Sequence, residues 1–353
     1  MALFRKKSSP LLGLDISSSA IKLIELSRQG RGYRVESYAV EPLPQNAVVE
    51  KNITDLEAVS RAIKGAVKRS RTKLHDAAVA VPGSSAISRI LTLPKSASDE
   101  DIESQVNLQA EQYVPYPLEE VDLDFEVLGP ARQGGDDEIE VLLVASRSEN
   151  VEIRVDALES AGIKPKVVDV ESFAVERACE PIIQSLEGEG EQTIAVMDIG
   201  ATMSTLTVLE GERITYTRDQ VFGGRQLTEE IMRRFDMSYA EAGRAKRQGG
   251  LGDEYEHEVL APFREAMVQQ ITRSLQFFYG AGQQGSVDHV LLAGGCASIP
   301  GVAEEAEREV GIPVHVANPF ASMSAASRVG KDALTEDAPA LLIACGLAMR
   351  SFD

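Results

Sequence analysis

An internal repeat at an offset of 183 residues constrains this chain more than any other feature. Leu11-Leu12-Gly13-Leu14-Asp15-Ile16 is an apolar run ending in an acid and a Ser17-Ser18-Ser19 turn. Ile194-Ala195-Val196-Met197-Asp198-Ile199-Gly200 repeats the pattern. At the 183-residue shift Asp15 falls on Asp198, Ser19 on Thr202, Leu23 on Leu206, Leu26 on Leu209 and Tyr33 on Tyr216. A repeat this long marks a duplicated supersecondary unit, and two similar lobes enclose one cleft between them. The length of 353 residues agrees, because a chain of this size outgrows one ordinary core and divides into two or three domains.

Each half opens in the same way, with a short strand, a turn and an alternating strand containing Ile21, Leu23, Ile24 and Leu26 in the first copy. A third strand over 33–43 and a helix opening at Asp55-Leu56, apolar at Leu56, Val59, Ile63 and Val67, come next. A strand over 77–81 closes on Pro82-Gly83. The pattern then changes to strand, acid-capped helix, acidic strand and a strand over 139–144 that follows a Gly-Gly-Asp-Asp-Glu hairpin turn, which reads as an inserted α+β unit. The organisation expected is a basic flexible tip over 1–10, a first lobe over 11–83 and 162–190, the insert over 84–161, and a second lobe over 191–337. Within that second lobe, 223–282 is expected to be helical, and a C-terminal helix over 338–353 to return to the first lobe.

Composition narrows the function classes. With 36 basic and 55 acidic side chains the net charge is −19, which repels phosphate backbones, so nucleic acid is not an expected partner. Arg5, Lys6 and Lys7, after Leu3 and Phe4, form a local basic tip that reads as a solvated tail. No apolar run reaches the roughly 18 to 20 residues that span a bilayer, and no leader is evident, so a cytoplasmic protein is expected. Cys179, Cys296 and Cys345 lack metal or disulfide spacing and read as apolar fillers. The four histidines share no ligand spacing, and Glu119-Glu120-Val121-Asp122-Leu123-Asp124 reads as the solvated side of a strand.

Chemistry concentrates in three places. Each repeat sets an acid at a strand end and a small-residue turn just after it, where backbone N–H groups can wrap phosphate oxygens while the acid holds a water of Mg²⁺. The third is Leu291-Leu292-Ala293-Gly294-Gly295-Cys296, a strand feeding two glycines that let backbone approach a flat ring or ribose.

These pieces, in this order, resemble the superfamily of actin, sugar kinases and heat-shock ATPases. The resemblance implies an α/β, two-lobed actin-like ATPase fold built from duplicated ribonuclease H-like lobes, with ATP and Mg²⁺ as cofactors. It also implies roles for residues. Asp15, Ser17, Ser18, Ser19 and Lys22 correspond to the first phosphate loop, and Asp198, Gly200, Thr202 and Ser204 to the second. Gly294, Gly295 and Ile299 correspond to the adenosine loop, while Gly223, Gly224, Glu241 and Lys246 line the ribose and base. Asp15 and Asp198 are placed to hold Mg²⁺ through water, and Glu171, with Asp198, to orient an attacking water. The second turn, Gly200-Ala201-Thr202-Met203, lacks the adjacent glycines of efficient ATPases, so at most weak turnover is expected.

Within the superfamily, the inserted unit resembles that of the division protein FtsA and its pilus relatives, the PilM family. The opening Leu-Gly-Leu-Asp-Ile-Ser-Ser-Ser-Ala-Ile-Lys-Leu-Ile-Glu-Leu, the segment Gln-Ala-Glu-Gln-Tyr-Val-Pro-Tyr-Pro over 109–117 and Val168-Asp169-Val170-Glu171-Ser172-Phe173-Ala174 are similar to the PilM family. This resemblance implies a scaffold of type IV pilus assembly and twitching motility, peripheral to the inner membrane. Its partner would be the N-terminal cytoplasmic peptide of the membrane protein PilN, held in a groove between first lobe and insert, with further inner-membrane and motor components beyond. Self-association stays open. An FtsA-like division protein, disfavoured because the sequence stops at Arg350-Ser351-Phe352-Asp353 without an amphipathic helix, and a small-molecule kinase are the alternatives.

Overall fold

The computed structural model describes residues 10–132, 135, 137–186, 188, 190–211, 213–249, 251–282 and 285–352. The expected basic tip, apart from Pro10, lies outside them, as do Gly134 and Asp136 of the expected hairpin turn and Glu187 and Glu189 of the expected linker.

The chain opens with the meander β1 (Leu12–Ile16), β2 (Ala20–Gln29) and β3 (Gly32–Pro42), then a small hairpin of β4 (Val48–Val49) and β5 (Asn52–Ile53). Helix α1 (Leu56–Ser70) starts where the Asp55 carboxylate accepts from the Ala58 N–H at 2.9 Å, and it stops at Arg71 in the left-handed region. Its Val59, Ile63 and Ala66 pack with Leu12, Leu14 and Leu23, so alternation along the strands meets helical spacing in one core. Strand β6 (Asp76–Val81) follows. The insert comprises β7 (Ala86–Pro94), α2 (Asp99–Tyr113), β8 (Val121–Pro130) and β9 (Glu138–Arg147), after which α3 (Ser148–Ser160), β10 (Lys164–Val170) and α4 (Glu171–Ile183) complete the first half.

The second half repeats the design. Strands β11 (Thr193–Ile199), β12 (Ser204–Glu210) and β13 (Arg213–Gln220) form a meander, and helices α5 (Gly224–Phe235), α6 (Tyr239–Gln248), α7 (Gly252–Tyr255) and α8 (Ala261–Gly280) lie over it. A π-helical turn over Glu256–Leu260 joins the last two. Then come β14 (His289–Ala293), α9 (Val302–Val310), β15 (Val314–Val316), β16 (Ser324–Ala325), α10 (Lys331–Asp337) and α11 (Leu342–Met349).

The duplication is visible in the sheets. Five strands of the first run β10-β6-β1-β2-β3 and the whole of the second runs β15-β14-β11-β12-β13, one order in both. In each, the meander is antiparallel and the outer strands join in parallel through helical crossovers. The insert has a separate sheet, β7-β9-β8, with α2 on one face. Asp122 and Asp124 stand exposed on β8, as the solvated strand face required. All three cysteines are buried and free.

Three features differ from the sequence reading. Helix α3, expected within the insert over 84–161, belongs to the first lobe, because its Ala157 and Leu158 pack with Val59 and Ile63 of α1 in the core of that lobe. The chain returns to the first sheet before the closing helix, because β16 pairs in parallel with β3 through Ser324 and Arg34. The closing run is broken into a 3₁₀ turn (Ala338–Leu341) containing Pro339, the α11 helix and a second 3₁₀ turn (Arg350–Phe352). Helix α11 packs between β1 and α4 at two glycines, where a Cβ on Gly13 would sit 2.0 Å from the Ala344 carbonyl and one on Gly346 1.8 Å from that of Ala174.

Candidate functional site

The two repeat turns face one another at the strand ends. Ser17 closes its turn by donating its N–H and its hydroxyl to the Ala20 carbonyl, at 3.1 and 2.8 Å. Thr202 Oγ1 lies 3.0 Å from Ser18 Oγ, so the two turns meet across the cleft. Beneath them Asp15 is buried and accepts from Lys22 Nζ at 2.9 Å, its partner in the β1–β2 register. Burial pulls the Lys22 ammonium down, but Asp15, Asp198 and Glu171 outweigh it and the net shift is upward. Burial pushes the Asp198 carboxyl above its usual range, against the pull of Lys22 and Lys51.

Three further segments support the second turn. The first N–H groups of α5 are used on it, Gly224 donating to the Gly200 carbonyl at 3.0 Å and Arg225 to that of Ala201 at 2.7 Å. A Cβ at Gly223 would fall 2.6 Å from the Gly200 oxygen. Gly294 has φ +83° and lies so close behind that a Cβ would meet the Ile199 oxygen at 2.4 Å and Asp198 Oδ1 at 2.5 Å. Cys296 donates its N–H to the Ile199 carbonyl at 3.1 Å. Gly295 is exposed, and a Cβ there would meet nothing within 4 Å, which leaves the cleft mouth open. Lys246 reaches in from α6 to donate to the Gly224 oxygen and Thr228 Oγ1, each at 3.0 Å, and burial lowers its ammonium.

The structure thus gathers Asp15, Ser17, Ser18, Ser19, Lys22, Asp198, Gly200, Thr202, Gly223, Gly224, Lys246, Gly294 and Gly295 around one cleft. Three others serve elsewhere. Ser204 is buried and donates to the Phe222 carbonyl at 2.9 Å, joining β12 to the loop before α5. Glu241 forms the capping box of α6 with Ser238, on the exposed surface. Ile299 packs against the second core.

Sequence reasoning missed Lys51. From the β4–β5 turn its Nζ donates to Glu171 Oε2 at 2.7 Å and to Thr205 Oγ1 at 3.0 Å, and stands 3.8 Å from Asp219 Oδ1. Burial opposes the charge, but Glu171 and Asp219 hold the ammonium protonated. The repeat carried a partial signal, since Thr205 stands 183 residues after Lys22, at the same place across from the strand acid.

A concavity of about 1780 Å³ opens between the insert and the core. Strand alternation puts Leu91, Leu93, Val141 and Leu143 under α2 and turns Ile90, Leu142 and Val144 to the other face. That face, with Asp124 and Glu126, forms one wall; Ser172, Phe173 and Glu176 of α4 and Thr217 and Arg218 of β13 form the other. Glu176 accepts from the Ile214 N–H at 3.1 Å, and burial raises its carboxyl to about 7. Arg213 and Glu140 pair across the groove. Among the described residues no helix is long and apolar enough to cross a membrane.

Two ribonuclease H-like lobes of one strand order, with facing turns over a shared cleft and an inserted α+β unit, make this an actin-like ATPase fold. The model of the type IV pilus assembly protein PilM family matches residues 13–352, and the chain belongs to that family. A solved structure of a PilM-PilN type IV pilus biogenesis complex is similar at 29% identity and a TM-score of 0.80, covering 98% of this chain and 99% of that one. The ethanolamine utilization protein EutJ from Carboxydothermus hydrogenoformans shares the fold at 17% identity and a TM-score of 0.57, over 98% and 93% of the two chains.

Proposed function

We propose that this protein is an ATP-binding scaffold of the type IV pilus assembly machine that captures the N-terminal cytoplasmic peptide of PilN. In that role it links the membrane complex to the cytoplasmic motor, and it sits at the inner membrane through its partner. The observation that carries the reading is the similarity, over nearly both whole chains, to a PilM solved with PilN.

The groove suits an extended peptide. Ile90 is 50% exposed beside Leu142 and Val144, which supplies apolar seats, and acids on β8 face arginines on β13. The cleft suits Mg-ATP in its facing small-residue turns, the Lys22 cation and the open mouth at Gly295. In this reading Ser17, Ser18, Ser19, Gly200 and Thr202 take the phosphates, Lys22 offsets their charge, and Gly294 and Gly295 take the adenosine. Asp15 and Asp198 hold Mg²⁺ through its waters. The metal supplies charge neutralisation to the polyphosphate when bound.

A labelled PilN N-terminal peptide titrated into the full chain tests the groove. Saturable binding is expected, and Ile90→Glu, which changes an exposed side chain, is expected to weaken it at least about tenfold. Peptide binding that ignores this change removes the groove from the reading, and no binding by the wild type removes PilN.

A further inference from the structure

We infer that Lys51 ties the closure of the nucleotide cleft to the shape of the peptide groove. The inference rests on the cleft and groove readings above and adds the residue that joins them.

Lys51 sits at the tip of a two-residue turn in which Glu50 has φ 48° and Lys51 φ 66°. Such turns ordinarily take Asn or Gly, because a side chain in the left-handed region is strained. Here the strain is held in place by Arg154, which is buried and spends its donors on backbone: Nη2 on the Lys51 carbonyl at 2.9 Å, Nε on Ala80 at 2.8 Å and Nη1 on Asn150 at 2.8 Å. A guanidinium so used clamps the backbone of the tip from which the Lys51 ammonium reaches out.

That ammonium crosses between the lobes. Glu171 belongs to the first half, Thr205 and Asp219 to the second sheet. The repeat explains the opening for it. In the first lobe Lys22 answers Asp15 from the neighbouring strand, whereas in the second the equivalent position is Thr205, which accepts from Lys51 and donates to Asp219 Oδ1 at 2.6 Å. Lys51 therefore brings a cation from the first lobe to Thr205, the second-lobe position equivalent to Lys22.

Both of its anionic partners lead into the groove. Glu171 begins α4, whose next residues Ser172 and Phe173 line one wall, and Asp219 lines the other with Thr217 and Arg218. Asp219 Oδ2 is buried with no hydrogen-bond partner among the described residues, so its setting depends on the contacts of the other oxygen. A shift of one lobe against the other breaks the lysine's reach and moves both walls. By linkage, a ligand that closes the cleft changes peptide affinity, and peptide changes affinity for that ligand by the same factor.

Distances between the lobes and peptide titrations test this on the full chain. The three native cysteines are buried, so labels on Lys64→Cys in the first lobe and Glu309→Cys in the second report lobe separation by pulsed spin resonance. One narrow distribution is expected with Lys51 intact, and a broader, longer one in Lys51→Met. Thr205→Val keeps the Lys51 ammonium and its ion pairs with Glu171 and Asp219, removes the Thr205 hydrogen bonds to Lys51 and Asp219, and is expected to broaden the distribution in the same way. Unchanged distributions in these variants overturn the inference. For the PilN peptide, Mg-ATP is expected to change wild-type affinity about fivefold or more, and the ratio is expected to fall to about one in Lys51→Met and to return in Lys51→Arg. A ratio in Lys51→Met equal to that of the wild type overturns it as well. A wild type that binds no peptide ends the groove reading instead, and the lobe distances then decide the role of Lys51.

Discussion

At the residue scale, the two strand acids illustrate how equal positions in a repeat come to differ. Asp15 is paired with Lys22 at 2.9 Å, while Asp198 faces Thr205 across the register and burial pushes its carboxyl upward. Asp15→Asn keeps an oxygen for Lys22 but removes the charge proposed to hold the hydrated cation. Saturating Mg-ATP at 100 times its dissociation constant should stabilise the wild type by about 2.7 kcal/mol, and calorimetry of Asp15→Asn should show that shift gone. Gly294→Ala places a methyl against Ile199 and Asp198 with the backbone at φ +83°. We expect at least about 1 kcal/mol of lost stability in urea titration. Glu176 supplies a pH dependence. Its folded value of about 7 lies above the ordinary 4.5, so folding takes up a proton between them. The stabilisation is complete below pH 4.5 and is lost as pH rises through 7. Glu176→Gln keeps an acceptor for Ile214, and its advantage in melting temperature over wild type should grow from pH 5 to pH 8. An advantage that stays level across that range would remove Glu176 as the source.

At the element scale, the closing helix is held by what two residues lack. Gly13 on β1 and Gly346 on α11 let backbone touch backbone, and Leu342, Cys345 and Met349 join a core shared with Ile24, Val196 and Leu291 of both sheets. A helix at this position acts as a wedge for the whole molecule. Gly346→Ala must push α11 away from Ala174, and a loss of about 3 kcal/mol is expected, with both lobes melting earlier together. Separate melting of one lobe would show that α11 does not join them. Helix α1 makes a smaller contrast, since removing its cap by Asp55→Ala should lower stability by about 1 kcal/mol.

At the scale of the whole molecule, the insert is a unit with its own core, joined to the rest at adjacent ends. Ala86 and Ser146 are cross-strand partners, and Ser146 Oγ donates to the Ser85 carbonyl at 2.8 Å. A short glycine-serine link replacing 86–147 can therefore close the chain without moving β6 or α3. The shortened protein should fold and keep its Mg-ATP shift while losing the PilN peptide. Retained peptide binding would place the partner elsewhere on the molecule.

Much of this was legible in the chain alone, because it is local or periodic. Apolar alternation ending in an acid and small residues, occurring twice at one spacing, determined two lobes and the facing turns of the cleft, since strand period and turn chemistry act over a few residues. Glu241 and Ser204 show the limit: a residue type in the right place by sequence can be used on a helix cap or a neighbouring loop, because hydrogen-bond partners are chosen in space. Two-residue strands such as β4 and β16 have no period to read. Lys51 escaped for the same reason, lying 120 residues from Glu171 and 154 from Thr205 in sequence yet within 3.0 Å of both. The repeat determined that there would be a cleft; only the packing of the lobes decided which buried lysine spans it, because a buried charge is set by the anions that close around it.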